Sequence, residues 1–282
     1  MKVFKTKKEL KMYLSEFRSE NATIGFVPTM GALHKGHLSL LHASSKNNDL
    51  SIVSIFVNPT QFNKREDLDN YPRTLEHDLM LLEKNFCDVV FIPSIDEIYT
   101  NGVSSQHFDF DGLENEMEGK YREGHFNGVG TIVKKLFEIV LPTNAYFGEK
   151  DFQQLQIVRK LVKKSTLKVN VISCATHRET NGLAMSSRNS RLTSQERDAA
   201  SIIFQILCAV KNKIGKIPLK AIDQWVSEQF EKHPLFKLEY FTIANEETLK
   251  KISEISPQKN YRAFIAVYAR EVRLIDTISL NS

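Results

Sequence analysis

At 282 residues the chain is about two domains long, and its 41% hydrophobic content places it among globular proteins rather than disordered ones. The 38 basic and 34 acidic residues leave a net charge of +4, too slight to mark a nucleic-acid surface by itself and compatible with small anionic substrates. Cys87, Cys174 and Cys208 form no C-x-x-C pair, so neither a zinc site nor a disulfide framework is expected, and a reducing, cytoplasmic location fits. The basic opening MKVFKTKKELKMYLSEF lacks the apolar core and cleavage site of an export signal. No apolar run reaches the roughly 18 residues that a membrane-spanning helix needs.

Thr6-Lys7-Lys8-Glu9 is a capping-box pattern, and Leu10, Tyr13, Leu14 and Phe17 follow at helical spacing, which predicts an amphipathic helix. An apolar run over 23–27, stopped by Pro28, predicts a strand; a glycine-containing loop and a helix from near Gly36 follow. Residues 50–57 (LSIVSIFV) have the pattern of a strand buried on both faces, ended by Asn58-Pro59. Helix over 74–86, strand over 88–92, helix over 129–140, strand over 145–147, helix over 152–164 and strand over 168–174 continue the alternation. This is the pattern of a doubly wound, parallel, Rossmann-like α/β sheet, in which ligands bind beyond the carboxyl ends of the strands near the switch point. After about residue 190 the pattern changes to helical stretches 194–213 and 219–232 and strand-like runs 237–244, 261–269 and 272–278, a smaller C-terminal α+β domain. The expected domains are 1–180 and 181–282, with the boundary in the polar loop around 177–188. Trp225 and the 18 phenylalanines read as core.

Four polar clusters fall at expected strand exits. In the first, His34-Lys35-Gly36-His37 opens a helix after a glycine turn, so two imidazoles and the helix N-terminal N–H groups can face an anion such as a phosphate. Metal ligation or plain capping explains a His-x-x-His pair equally well. Asn58-Pro59-Thr60-Gln61 offers uncharged amides suited to a hydroxylated or carboxylated small molecule, or forms an ordinary proline turn. In Gly148-Glu149-Lys150-Asp151, followed by Gln153 and Gln154, Lys150 can neutralise polyphosphate, or the segment is a capping turn with an exposed ion pair. RETNGLAMSSRN over 178–189 puts two hydroxyls and a guanidinium in one loop, a phosphate clamp or else a solvated turn capping the helix from Ser194. Tyr71-Pro72-Arg73 and the Arg122 to Phe126 segment could add cations or serve loop geometry. No dinucleotide fingerprint, P-loop or nucleophile elbow is present.

VPTMGALHKGH, with its HxGH core, resembles the nucleotide-binding signature of the nucleotidyltransferase and class I aminoacyl-tRNA synthetase superfamily, and AMSSRN resembles its second, KMSKS-like signature. Joined in order by SIFVNPTQF, YPRT, REGHFNGV and FGEKDFQQL, they resemble the pantoate–β-alanine ligase family, motif by motif over 22–192. The resemblance implies condensation of (R)-pantoate with β-alanine through a pantoyl adenylate, consuming ATP with Mg²⁺ and releasing AMP and pyrophosphate. It implies that Met30, Gly31, Ala32, Leu33, His34, Lys35, Gly36 and His37 hold ATP, with His34 and His37 around the reacting phosphate and His37 as general acid. Gly148, Glu149, Lys150, Asp151, Met185, Ser186, Ser187 and Arg188 would complete the nucleotide site, with Lys150, Ser186, Ser187 and Arg188 at the phosphates. His177 would make a nucleotide contact through its backbone. Gln61 and Gln154 would bind pantoate, Gln61 also serving the β-alanine step, and Asn58 presents its amide beside them. No protein side chains are assigned to metal. A homodimer without nucleic-acid or membrane partners is implied, its C-terminal domain closing over the ATP site.

Two departures from the family pattern stand out: Asn181 where an acidic residue usually precedes Gly-Leu, and a second signature without the lysines of KMSKS, which is usual for this family. The competing reading is another HxGH nucleotidyltransferase acting on a phosphorylated acceptor. Such an enzyme needs further cations for the acceptor's phosphate, whereas NPTQF and FGEKDFQQL offer amides. A nucleic-acid-binding module would need a basic surface, which the near balance of charge opposes.

Overall fold

A computed structural model describes residues 1–281, which divide into two compact units: Met1–Glu149 with Gln153–Ala175, and Lys150–Phe152 with the chain from Thr176 onward. In chain order the first unit contains β1 (Lys2–Phe4), α1 (Lys7–Ser19), β2 (Ile24–Thr29), α2 (Lys35–Asn47), β3 (Leu50–Ile55), α3 (Arg65–Asp69) and α4 (Leu75–Lys84). There follow β4 (Val89–Phe91), α5 (Ile95–Ile98), α6 (Glu118–Tyr121), α7 (His125–Val140), β5 (Asn144–Gly148), α8 (Phe152–Lys164), whose first residue groups with the second unit, and β6 (Asn170–Cys174). All five strand pairings are parallel, in the order β1-β4-β3-β2-β5-β6. β3 is buried along its whole length, as its unbroken apolar pattern requires. The chain leaves β2 on one side through β3 and β4 and returns on the other through β5, so the carboxyl ends of β2 and β5 flank the switch point where open α/β sheets bind ligands.

Pro28 was expected to stop β2, yet it lies within the strand, paired with Ser54 of β3. The reason is directional. Thr29 O accepts the Phe56 N–H on the β3 side, so its neighbour Pro28 faces β5, where pairing ends at Phe26 and no donor is missed. β1 was not foreseen, being only three residues long, and α7 begins at His125, earlier than its apolar periodicity suggested. Phe86 departs from the expectation that every phenylalanine is core: it is 86% exposed at φ 56, in the left-handed position that follows the end of α4.

The second unit contains α9 (Ser194–Ala199), α10 (Ser201–Lys213), α11 (Leu219–Glu231) and the antiparallel sheet β7 (Phe236–Asn245), β8 (Tyr261–Ala269) and β9 (Val272–Ser279). Leu207 and Val210 of α10, Ile222 and Val226 of α11, and Ile265 and Val267 of β8 form its core. Trp225 packs on this core half-buried, with the Lys213 ammonium 4.8 Å from its ring centroid. Among the described residues no helix is long and apolar enough to cross a membrane.

Candidate active site

β2 ends in a turn that its own sequence makes costly and a distant side chain makes stable. The Thr29 hydroxyl donates to Ser54 O at 2.7 Å and accepts the Gly31 N–H at 3.2 Å. Gly31 (φ 83) and Ala32 (φ 48) are both left-handed, a conformation that costs an L-residue roughly 1–2 kcal/mol. Backbone turned this way presents successive N–H groups as a small anion cradle. The anion is a part of the protein: Asp78 of α4, 1% exposed, accepts Ala32 N–H on Oδ2 at 2.9 Å and Leu33 N–H on Oδ1 at 2.8 Å. Thr74 Oγ1 donates to the same Oδ1 at 3.0 Å. The Leu33 side chain joins the core with Leu41, Val53 and Val90.

His34 then caps α2, its Nδ1 accepting the Gly36 N–H at 3.1 Å, while His37 Nδ1 accepts the His34 N–H at 3.4 Å. The rings lie 4.1 Å apart, centroid to centroid, and 35° from parallel. A ring nitrogen that accepts carries no proton, so in this cap the ring proton of each imidazole sits on Nε2. The backbone N–H groups of Gly31, Ala32, Leu33, His34 and Gly36 are all taken by protein acceptors. Lys35 is exposed on the first turn of the helix.

Gln61 stands beside this loop, its Nε2 donating to Met30 Sδ at 3.1 Å and its Oε1 accepting from Asn58 Nδ2 at 3.1 Å. Asn58 is spoken for entirely within the protein. Its Nδ2 also donates to Gly128 O at 3.2 Å, and its Oδ1 accepts from Tyr99 Oη at 2.5 Å and Thr60 Oγ1 at 3.1 Å. Expected as a substrate contact, Asn58 instead orients Gln61, because all four hydrogen-bonding positions of its amide are filled. Burial pushes the Tyr99 phenol up from its ordinary range, which keeps it a neutral donor. His125, at the start of α7, fixes the Gln61 backbone: the carbonyl can only accept, so His125 Nδ1 donates to it at 2.8 Å. Gly128 lets α7 approach so closely that a Cβ there would sit 2.1 Å from Thr60 O. Arg73, expected as a spare cation, donates to the Leu68, Asp69 and Tyr71 carbonyls and serves its loop.

At the end of β5, Gly148 has no atom within 4 Å of where its Cβ would lie, so the strand's carboxyl end is open there. Gln153 of α8 is engaged with Glu118 N, Leu113 O and Glu116 O, while the next residue, Gln154, is half-buried.

The remaining expected residues belong to the second unit. Lys150 Nζ lies 3.6 Å from Asp151 Oδ2, its side chain 17% exposed. Arg178 and Ala184 pair as an antiparallel bridge, and Met185 N–H donates to His177 O at 3.0 Å, so His177 is engaged through its backbone while its imidazole side is exposed. The Arg178 guanidinium stacks 3.8 Å from the Phe204 ring centroid and donates to both Asp276 oxygens, at 2.6 and 3.0 Å. Asn181 Oδ1 accepts the Leu183 N–H at 3.1 Å, as an aspartate could, and its Nδ2 donates to Arg197 O at 3.2 Å, as an aspartate could not. Ser186 caps the short turn Ser187–Arg191, accepting the Arg188 N–H at 3.3 Å. Capping of α9 falls to Thr193 and Glu196 in a reciprocal box, which removes that explanation for the serines of the loop.

Asp78 and Tyr99 were not legible as site residues. The one available signal for Asp78 was an acid one helical turn before Leu82, on the stripe that α4 buries.

A parallel sheet whose switch-point strand opens, through a strained turn, onto paired imidazoles is the architecture of an α/β protein that binds its ligand at the carboxyl edge of the sheet. The family model for pantoate-beta-alanine ligase matches residues 2–279. Pantothenate synthetases of Flavobacterium psychrophilum and Christiangramia forsetii are 53% and 51% identical to the chain, each alignment covering 100% of both proteins. The crystal structure of pantothenate synthetase from Thermus thermophilus superposes with a TM-score of 0.91 at 37% identity, covering 100% of each chain. That of pantoate-beta-alanine ligase from Francisella tularensis, complexed with beta-gamma ATP and beta-alanine, gives 0.81 at 36% identity, covering 100% of this chain and 98% of that one. The chain belongs to the pantoate-beta-alanine ligase family, and is thus an enzyme, a ligase.

Proposed function

We propose that the chain joins (R)-pantoate to β-alanine in two steps and that its paired histidines serve the first. A pantoate carboxylate oxygen attacks the α-phosphorus of ATP, pyrophosphate leaves, and pantoyl adenylate forms; the β-alanine amine then attacks the acyl carbon and AMP leaves with that oxygen. The observation that carries the reading is the reciprocal histidine cap at the carboxyl end of β2, which fixes both Nδ1 atoms and turns both rings into Nε2–H donors. Such donors stabilise charge that grows on phosphoryl oxygens, an effect worth about 10²- to 10³-fold in rate for each well-placed group. His37 serves as the acid and His34 as its partner at the reacting phosphate. Lys150, Ser186, Ser187 and Arg188 offer cations and hydroxyls suited to phosphate oxygens, and Gln61 and Gln154 take pantoate by neutral hydrogen bonds suited to an alcohol-rich acid. The ligands in the Francisella tularensis structure support ATP and β-alanine as substrates here.

Among the described residues no group of three His, Cys, Asp or Glu side chains could hold a metal ion. Mg²⁺ enters this reading as part of the MgATP substrate, where it would offset triphosphate charge. A homodimer in the cytoplasm, with no nucleic-acid partner, completes the proposal.

Exchange of labelled pyrophosphate into ATP, with (R)-pantoate and Mg²⁺ present and β-alanine withheld, isolates the first step. Pantoate-dependent exchange is the expected result. Folded, ATP-binding protein that exchanges only with a phosphorylated acceptor would overturn the substrate assignment.

A further inference from the structure

We infer that Asp78 is a positioning residue for adenylate formation, the internal anion that holds the Gly31–Ala32 turn in the shape from which His34 and His37 act; this rests on the proposed function. Three features of the geometry point to it. The carboxylate is buried, and all its described donors are the Ala32 and Leu33 N–H groups and the Thr74 hydroxyl, so it serves this turn and nothing on its own helix beyond Thr74. The turn is strained, Ala32 holding φ 48 without being glycine, and such backbone persists where its surroundings over-determine it. Leu33, fixed by Asp78 on one side and by the core on the other, directly precedes the residue whose imidazole begins the cap. The chain between the clamp and the first imidazole is one peptide unit, so displacement at the clamp passes to the ring.

Asparagine in place of Asp78 has nearly the same shape but one acceptor oxygen, and its NH₂ group would face the second N–H. The turn then loses one of its two backbone anchors. A misplacement on the order of 1 Å at such a group lowers turnover by about 10²-fold while leaving most binding contacts in place.

The test is Asp78→Asn, with pyrophosphate exchange measured at saturating MgATP and pantoate, and with the ¹⁵N spectrum of the histidines as a second readout. The expected result is exchange slowed by about 10²-fold at saturation with a much smaller change in the KM for ATP. The His34 and His37 resonances should change from Nε2-protonated to mixed tautomers in a folded protein. A folded variant with wild-type exchange and unchanged histidine signals would overturn the inference, and so would one whose loss lies wholly in thermal stability. If Asp78→Asn does not fold, Thr74→Val decides. It removes the bond that fixes how the carboxylate is turned toward the Ala32 and Leu33 N–H groups, so several-fold slower exchange supports the role and an unchanged rate overturns it. Wild-type protein lacking pantoate-dependent exchange would instead overturn the proposed function, which keeps the two failures distinct.

Discussion

The two signature loops are held by different physics. The loop after β2 is backbone fixed by one carboxylate: Asp78 collects two successive N–H groups of a left-handed turn, and the histidines cap each other. The loop over 178–189 bridges its own backbone between Arg178 and Ala184, and charged side-chain pairs tie it to the strand and helix around it. Arg178 is gripped by Asp276, and Glu179 takes Arg197 through two hydrogen bonds, at 2.9 and 3.0 Å, together with Asn189 at 2.9 Å. Clamping backbone fixes where a short segment runs to within the length of a hydrogen bond. Charged side-chain pairs tolerate more movement of the backbone between them, but when buried they make the loop's position depend on keeping both partners.

That contrast predicts where each region breaks. The largest effect is expected from Arg178→Met, which leaves Asp276, its side chain 3% exposed, without its cation. Removing one partner of a buried pair costs about 3–5 kcal/mol, so denaturant unfolding should show a loss of that size, with Asp276→Asn in the same background restoring much of it. Next, His37→Ala should lower pyrophosphate exchange by about 10²-fold or more with the unfolding transition nearly unmoved, since a charge-stabilising donor is lost and no core is touched. The opposite pattern, stability lost and rate kept, would show that the histidine cap is scaffolding. Gly128→Ala comes third: its Cβ would meet Thr60 O at 2.1 Å, a backbone atom that no rotamer change can relieve. Overpacking of this kind costs about 1–3 kcal/mol, and the displaced Gln61 should raise the pantoate KM while leaving ATP affinity in place, as calorimetry would record.

The smallest effect concerns acid. Hydrogen bonds from Arg270 and from the Thr193 backbone hold the Glu196 carboxyl down to about 2, against an ordinary value of 4.5. A folded value below the unfolded one stabilises the protein above pH 4.5, and that contribution is lost as pH falls toward 2. Protection of the α9 amides, taken relative to their intrinsic exchange rates, should therefore fall over that window, and Glu196→Gln should flatten the dependence.

How far the sequence could be read follows from how local each interaction is. His34 and His37 lie within one string, three residues apart, so spacing and glycine context sufficed to single them out. Their anchor comes from another helix, and Asp78 in LEHDLMLL looks like any polar residue of an amphipathic helix until α4 is docked. The Asn58-to-Gln61 cluster was legible as amides at a strand exit. The division of labour was not: Asn58 is filled by Tyr99 and Gly128, partners 41 and 70 residues away, which turns one amide into a support for the other. Pro28 misled for a related reason, because a proline ends a strand only where its missing N–H has a partner to lose, and that depends on how far β5 extends alongside. Apart from the three-residue β1, the parallel sheet itself was legible, since continuous apolar runs alternating with amphipathic helices have few other ways to bury both faces of the strands.

The central claim is that the pantoate carboxylate attacks the α-phosphorus. Supplying pantoate labelled with ¹⁸O in both carboxylate oxygens, together with MgATP and β-alanine, and reading the products by mass spectrometry follows the transferred oxygen directly. The account predicts one ¹⁸O in AMP for each pantothenate formed and none in pyrophosphate. Label appearing in pyrophosphate or inorganic phosphate, with unlabelled AMP, would place the attack at another phosphorus and contradict it.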